Sequence, residues 1–238
     1  MRIPRVAALS AAVATLLLSP VSPAAHATTH HGARSQAAVP AAGNGTPSAT
    51  DLLAATQNCH QVSHGTFKAS LGGAPIPVCS SNGAYYWHSS MSVDCDGQAT
   101  DKCNSHTDPD YRSTTAVPQS NGAPLNAATT PYVVLPDRHS PIWSYFNEAG
   151  IRPGDVIAVI YGGHVEYAIF GDVGDSDHIG EASYATAAAL GINPDPHKGG
   201  VPGGVTYIAF PHTRPNIVED HGQAVTNGAA AATAFLHH

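Results

Sequence analysis

Val165-Glu166-Tyr167-Ala168-Ile169-Phe170-Gly171-Asp172-Val173-Gly174-Asp175-Ser176-Asp177-His178-Ile179-Gly180-Glu181-Ala182-Ser183-Tyr184 is the stretch whose reading decides the fold. Its first six residues alternate and are largely apolar, the pattern of a strand, and they deliver Asp172 at a glycine-flanked strand end. Eight residues separate Asp172 from Glu181, and a glycine precedes each acid, so the spacing predicts two carboxylates facing one loop. Beyond Glu181, Ala182 to Leu190 reads as a short alanine-rich helix closed by Gly191, which predicts Glu181 at the helix N-terminus.

Working outward, Asp155–Tyr161 and His164–Phe170 hinge at Gly162-Gly163 and form the clearest hairpin in the chain. Pro75–Cys79 and Ala84–Val93 read as a second strand pair across Ser80-Ser81-Asn82-Gly83, and Tyr132–Leu135 and Val205–Phe210 as further strands. Ser140-Pro141 opens an apparent helix through Phe146, stopped by Gly150, and Glu219–Val225 reads as a terminal helical turn. The expected class is mainly β with a few short helices (α+β), folded as a compact β-barrel. With 23 glycines, 19 prolines and 11% charged residues, the composition favours strands and turns over long helices.

At the N-terminus, Arg2 and Arg5 precede an apolar run, Val6–Leu18, and Ala25-His26-Ala27 is a small-x-small cleavage pattern. Residues 1–27 are therefore expected to be a secretory signal peptide, too short to span a membrane, and the protein to be secreted. Residues 28–50, poor in large apolar side chains, are expected to be a flexible leader whose His30-His31 pair lacks a third metal ligand nearby. Residues 51–226 are expected to form a single catalytic domain, and 227–238 an alanine-rich tail, loosely helical or disordered. Without Arg2 and Arg5, the ten basic residues become eight against 17 acidic ones, a formal charge of −9. Such a surface repels nucleic acid and draws cationic polymers.

Cys59, Cys79, Cys95 and Cys103 are an even set in an exported chain, so two disulfides are expected rather than a zinc site, which the lack of Cys-x-x-Cys knuckles disfavours. Three pairings are possible; the short Cys95–Cys103 loop favours the sequential one. Asp94-Cys95-Asp96-Gly97 resembles the start of a calcium loop, but no glutamate precedes Glu148 to close it. No metal or cofactor is expected. There is no Gly-x-Ser-x-Gly elbow, phosphate loop or dinucleotide fingerprint. Paired carboxylates remain, the reagents that glycoside hydrolysis needs. Each acid also has an ordinary reading, Asp172 as a turn former and Glu181 as a helix-start acid.

Five blocks in order, Met91-Ser-Val-Asp-Cys-Asp-Gly97, Pro124-Leu-Asn-Ala-Ala-Thr129, Tyr167-Ala-Ile-Phe-Gly-Asp172, Ile179-Gly-Glu-Ala-Ser-Tyr-Ala185 and Gly191-Ile-Asn-Pro-Asp-Pro196, resemble the glycoside hydrolase family 75 chitosanases across roughly residues 66–220. The resemblance implies an endo-acting enzyme that cleaves β-1,4 links between glucosamine units of chitosan with inversion. It puts the essential acids on Asp172 and Glu181; we assign Glu181 as acid and Asp172 as base, with Asp175 and Asp177 as competitors for the base. Asp94, Asp96, Tyr86, Trp87, Asn126, Tyr167 and Tyr184 are the candidate substrate-binding residues. The strand, Gly-Asp-x-Gly loop and Gly-acid order also resembles double-psi barrels. A monomer acting on chitosan, without nucleic-acid or membrane partners, is the expectation. The alternatives are a non-catalytic wall-polysaccharide-binding module and a peptidoglycan-cleaving lytic enzyme.

Overall fold

A computed structural model describes residues 46–237. The expected signal peptide, most of the expected leader and the His30-His31 pair lie outside the described residues. In chain order the elements are α1 (Ala49–Ala55), β1 (His60–Gln61), β2 (Lys68–Ala69), β3 (Cys79–Ser81), β4 (Ala84–Asp94), β5 (Tyr132–Leu135), β6 (Val156–Tyr161), β7 (His164–Val173), β8 (His178–Ile179), β9 (Glu181–Ser183), α2 (Tyr184–Ala189), β10 (Val201–Ala209) and α3 (His221–Leu236).

Six strands close on themselves in the order β4-β10-β6-β7-β5-β9 and back to β4, giving the expected β-barrel. The β4–β10, β10–β6, β6–β7 and β5–β9 pairs are antiparallel, whereas β7–β5 and β9–β4 are parallel. Closure depends on the length of β4. This 11-residue strand gives one edge to β10, and divides the other between β3 near its start and β9 at its end. The β6–β7 hairpin turns on Gly162 and Gly163, both at positive φ (57° and 84°), as a two-residue turn matched to strand twist requires.

Alternate residues of all six barrel strands form one apolar cluster, with Trp87, Leu135, Val159, Phe170, Ala182 and Tyr207 among them. Trp87 and Tyr207 stack at 5.3 Å between ring centroids. The intervening residues, such as Tyr86, Val134, Tyr167 and Ile208, belong to a second cluster that α1 and α3 help to cover.

Four local expectations are corrected. Glu181 is in strand β9, and the N-cap of α2 is Ser183, whose Oγ accepts from the Thr186 N–H at 3.2 Å. Ser140–Phe146 forms turns rather than a helix. There Ser140 Oγ donates to the Ser176 carbonyl at 2.6 Å and Ser144 Oγ to the Arg138 carbonyl at 2.7 Å, local bonds that compete with a helical ladder. The alanine-rich stretch from residue 227 is no loose tail: it continues α3 to Leu236, with Ala224, Gly228, Ala232 and Phe235 buried. The folded part also begins before residue 51, because Ser48 N-caps α1 by accepting from the Asp51 N–H.

The cysteines pair sequentially, Cys59 with Cys79 and Cys95 with Cys103. No helix among the described residues is long and apolar enough to cross a membrane.

Candidate active site

Strand pairing sets the acids in one row. Glu181 on β9 is in register with Ser92 on β4 and with Val134 on β5, and Val134 is in register with Asp172 on β7. The row Ser92, Glu181, Val134, Asp172 therefore crosses four neighbouring strands, with the two acids flanking one valine. Two strand spacings of about 4.8 Å separate their backbones by about 10 Å. Asp94, one pleat repeat beyond Ser92, pairs with Ser183 and stands on the same face. Gly180 makes the approach to Glu181 possible. It has φ +102°, and a Cβ there would lie 2.7 Å from the Ser90 carbonyl oxygen.

Each carboxylate has a different environment. One oxygen of Asp172 accepts from the Ala116 and Val173 N–H groups, both at 2.8 Å, and the residue is only 7% exposed. Burial raises its pKa, and those two bonds oppose the rise. Glu181 has no such support: burial first, then the charges of Asp96 and Asp172, push it up from 4.5 to about 7. Asp94 accepts from the Asp96 N–H at 2.7 Å, yet burial and the charge of Glu181 hold it well above the ordinary range. Asp96 accepts from the Arg112 N–H and is raised by burial to about 6. Cys95 lies between these two acids in sequence, and its disulfide with Cys103 ties their segment to the loop that follows.

Glu181 opens onto a cavity of about 330 Å³ walled by Ser70, Ser92, Asp110, Val134, Leu135, Gly174, Asp175, His178 and Ile179. Asp172, across Val134, is not part of that wall. The connecting loop is fastened by β8, which pairs in parallel with β2. Asp177 is engaged there, receiving Lys68 Nζ at 2.6 Å and facing His178 Nδ1 at 2.8 Å. The Lys68 bond is the leading cause of its lowered pKa. Asp175 is exposed at the cavity mouth.

Of the residues expected to bind substrate, Asp94 and Asp96 join the acid cluster, while Tyr86, Trp87 and Tyr167 do not face solvent. Tyr86 and Trp87 are fully buried and Tyr167 is 4% exposed, so none offers a sugar-stacking surface. Tyr86 instead bonds the Asn58 carbonyl, and Trp87 fills the barrel. Asn126 shapes its own turn by accepting from the Ala128 N–H at 3.0 Å. Tyr184 is partly exposed and lines a separate cavity. Sequence reasoning did not single out His178, Ser92 or Ser70 as site residues. Ser92 had a signal, since it lies two residues before Asp94 on the same strand face. The others reach the cavity through irregular chain or short bridging strands.

A family model described as "Fungal chitosanase of glycosyl hydrolase group 75" matches residues 91–235. "Endo-chitosanase B" of Aspergillus oryzae is 33% identical over 143 residues, covering 54% of this chain and 59% of that protein. "Endo-chitosanase" of Aspergillus fumigatus is 32% identical over 130 residues, covering 52% and 54% respectively. The chain thus spans somewhat over half the length of these relatives. Among solved structures, "Streptomyces papain inhibitor (SPI)" is 20% identical with a TM-score of 0.32, covering 52% of this chain and 94% of its own.

Proposed function

Because the chain belongs to the glycosyl hydrolase group 75 family, we propose that it is an exported enzyme that hydrolyses chitosan internally by a two-carboxylate, inverting mechanism. The observation that carries the mechanism is the register of Asp172 and Glu181 on either side of Val134. A backbone separation of about 10 Å suits carboxyls held about 6.5 to 9.5 Å apart, which leaves room for a water between base and sugar. Glu181, with its pKa near 7, keeps its proton in mildly acidic solution and gives it to the leaving glycosidic oxygen. Asp172, whose two backbone N–H bonds favour its carboxylate form against the effect of burial, takes a proton from the attacking water. Asp94 and Asp96 place two more acids beside the cleft, and above a pH of about 6 the carboxylate of Asp96 attracts the substrate's ammonium groups. The names of the relatives support the substrate, and the signal-peptide pattern and two disulfides support export.

One observation favours a second assignment of the base. Asp175 lines the cavity and Asp172 does not. Measuring reducing ends released from chitosan separates the two. We expect Glu181→Gln and Asp172→Asn each to lower turnover by about 10² to 10⁴, the usual worth of general acid–base catalysis, with substrate binding retained. Loss in Asp175→Asn with full activity in Asp172→Asn would move the base to the loop. Normal turnover in Glu181→Gln would overturn the mechanism.

A further inference from the structure

Beyond Glu181 the chain runs straight into α2, and Tyr184, three residues on, lines a second cavity of about 540 Å³. That volume lies within the range of small-ligand pockets, about 300 to 1,000 Å³. Thr107 lines this cavity and Asp110, three residues on in sequence, lines the first. With about 3.3 Å per residue along β9 and Tyr184 opening α2 directly after it, the Tyr184 backbone is about 10 Å from that of Glu181, a span of roughly two hexose rings.

The two cavities differ in charge. Asp110, Asp175 and Glu181 wall the first. Lys102 and Lys198 line the second, where Asp195 is the one carboxylate, and its Oδ1 is engaged by the His197 and Lys198 N–H groups at 2.9 Å. Lys102 Nζ lies over the Tyr184 ring, 5.1 Å from its centre, so that aromatic face already holds an ammonium. Neither lysine takes part in the salt bridges found among the described residues. Pro194 and Pro196 add apolar ring surfaces.

We propose that the second cavity is a sugar subsite, two units from the bond cleaved, that selects an uncharged N-acetylglucosamine over a protonated glucosamine, with Lys102 and Lys198 determining that choice. The proposal rests on the chitosan reading above. A protonated amine placed there meets two ammonium groups. An acetamide brings no charge, its carbonyl accepts from a lysine, and its methyl packs on the prolines. Repulsion between like charges about 6 Å apart, largely water-exposed and screened by salt, corresponds to a preference of roughly three- to tenfold.

The test is to digest partially acetylated chitosan oligomers with the full chain and sequence the products by mass spectrometry. We expect the wild-type products to be enriched roughly three- to tenfold in N-acetylglucosamine at the second unit on one side of the cut. Lys102→Gln/Lys198→Gln should lose that enrichment and raise kcat/KM on the fully deacetylated hexamer. Both lysines are exposed, and each single variant should give part of the effect. Wild-type cleavage with no enrichment at that position, or enrichment unchanged in the double variant, would overturn the subsite while leaving the chitosan reading intact. If the wild type releases no reducing ends from any chitosan, the reading fails first and the subsite with it.

Discussion

The two faces of the strand trio β9, β5 and β7 are built from alternate residues and have opposite natures. Inward lie Ala182, Val133, Leu135 and Phe170, all in the apolar barrel cluster. On the other face lie Glu181, Val134 and Asp172, with Asp94 nearby on β4, and there the carboxyls are raised above their ordinary pKa values by burial. The inward face stabilises the fold throughout, whereas on the other the buried acids work against it beside apolar neighbours such as Val134 and Tyr132. A strand's two-residue period lets both sit on the same backbone, so a rigid barrel holds acids that are costly to bury.

The sharpest way to break the apolar side is Trp87→Ala, which removes a fully buried ring stacked on Tyr207. We expect a loss of about 3 to 5 kcal/mol, measured by denaturant or thermal unfolding. A loss under about 1 kcal/mol would mean that the barrel interior is not the main core.

The disulfides sharpen the contrast, because one serves each region. Opening Cys59–Cys79 to serines should cost about 3 kcal/mol of stability with kcat unchanged, since it joins β3 to the chain just before β1. Opening Cys95–Cys103 should cost about 2 to 3 kcal/mol and also lower kcat, because it anchors the segment carrying Asp94 and Asp96. Equal effects of the two on kcat would deny the acid segment its anchor.

The acid face should show the opposite sign. Below about pH 3 its carboxyls are protonated in both folded and unfolded chains. As pH rises the unfolded chain ionises first, so stability falls until the folded pKa is passed, about 7 for Glu181. Glu181→Gln should therefore raise the melting temperature at pH 8 by several degrees, at about 2 to 4 °C per kcal/mol, and leave it nearly unchanged at pH 4. A lower melting temperature at pH 8 would contradict the burial cost assigned to this side chain.

The barrel strands were legible because alternation and glycine turns are local signals; the β6–β7 hairpin is where the sequence places it. The closure of the barrel was not, since it depends on β4 pairing with β9 about 90 residues away. The site was half legible. Asp172 and Glu181 stand out by their glycines, but the segment between β4 and β5 that brings Asp110 to the cavity has no period to read. It is held by side chain to backbone bonds, such as Asp96 to the Arg112 N–H and Thr115 Oγ1 to the Val117 carbonyl at 2.8 Å. Aromatic residues were ambiguous for a related reason: Trp87 and Tyr167 look alike in sequence whether they face a cleft or the core. The C-terminal helix carried a signal in the spacing of Ala224, Gly228 and Ala232, four residues apart. These are small residues that pack closely, and Gly228 abuts Tyr167 and Val156.

The central claim is that Asp172 and Glu181 act across a water-sized gap, and the anomeric form of the first product tests it most directly. Proton NMR of a glucosamine oligomer digest at early times, before mutarotation, should show the α-anomer at the new reducing end. A β-anomer there would mean a retaining mechanism and contradict the role given to Asp172.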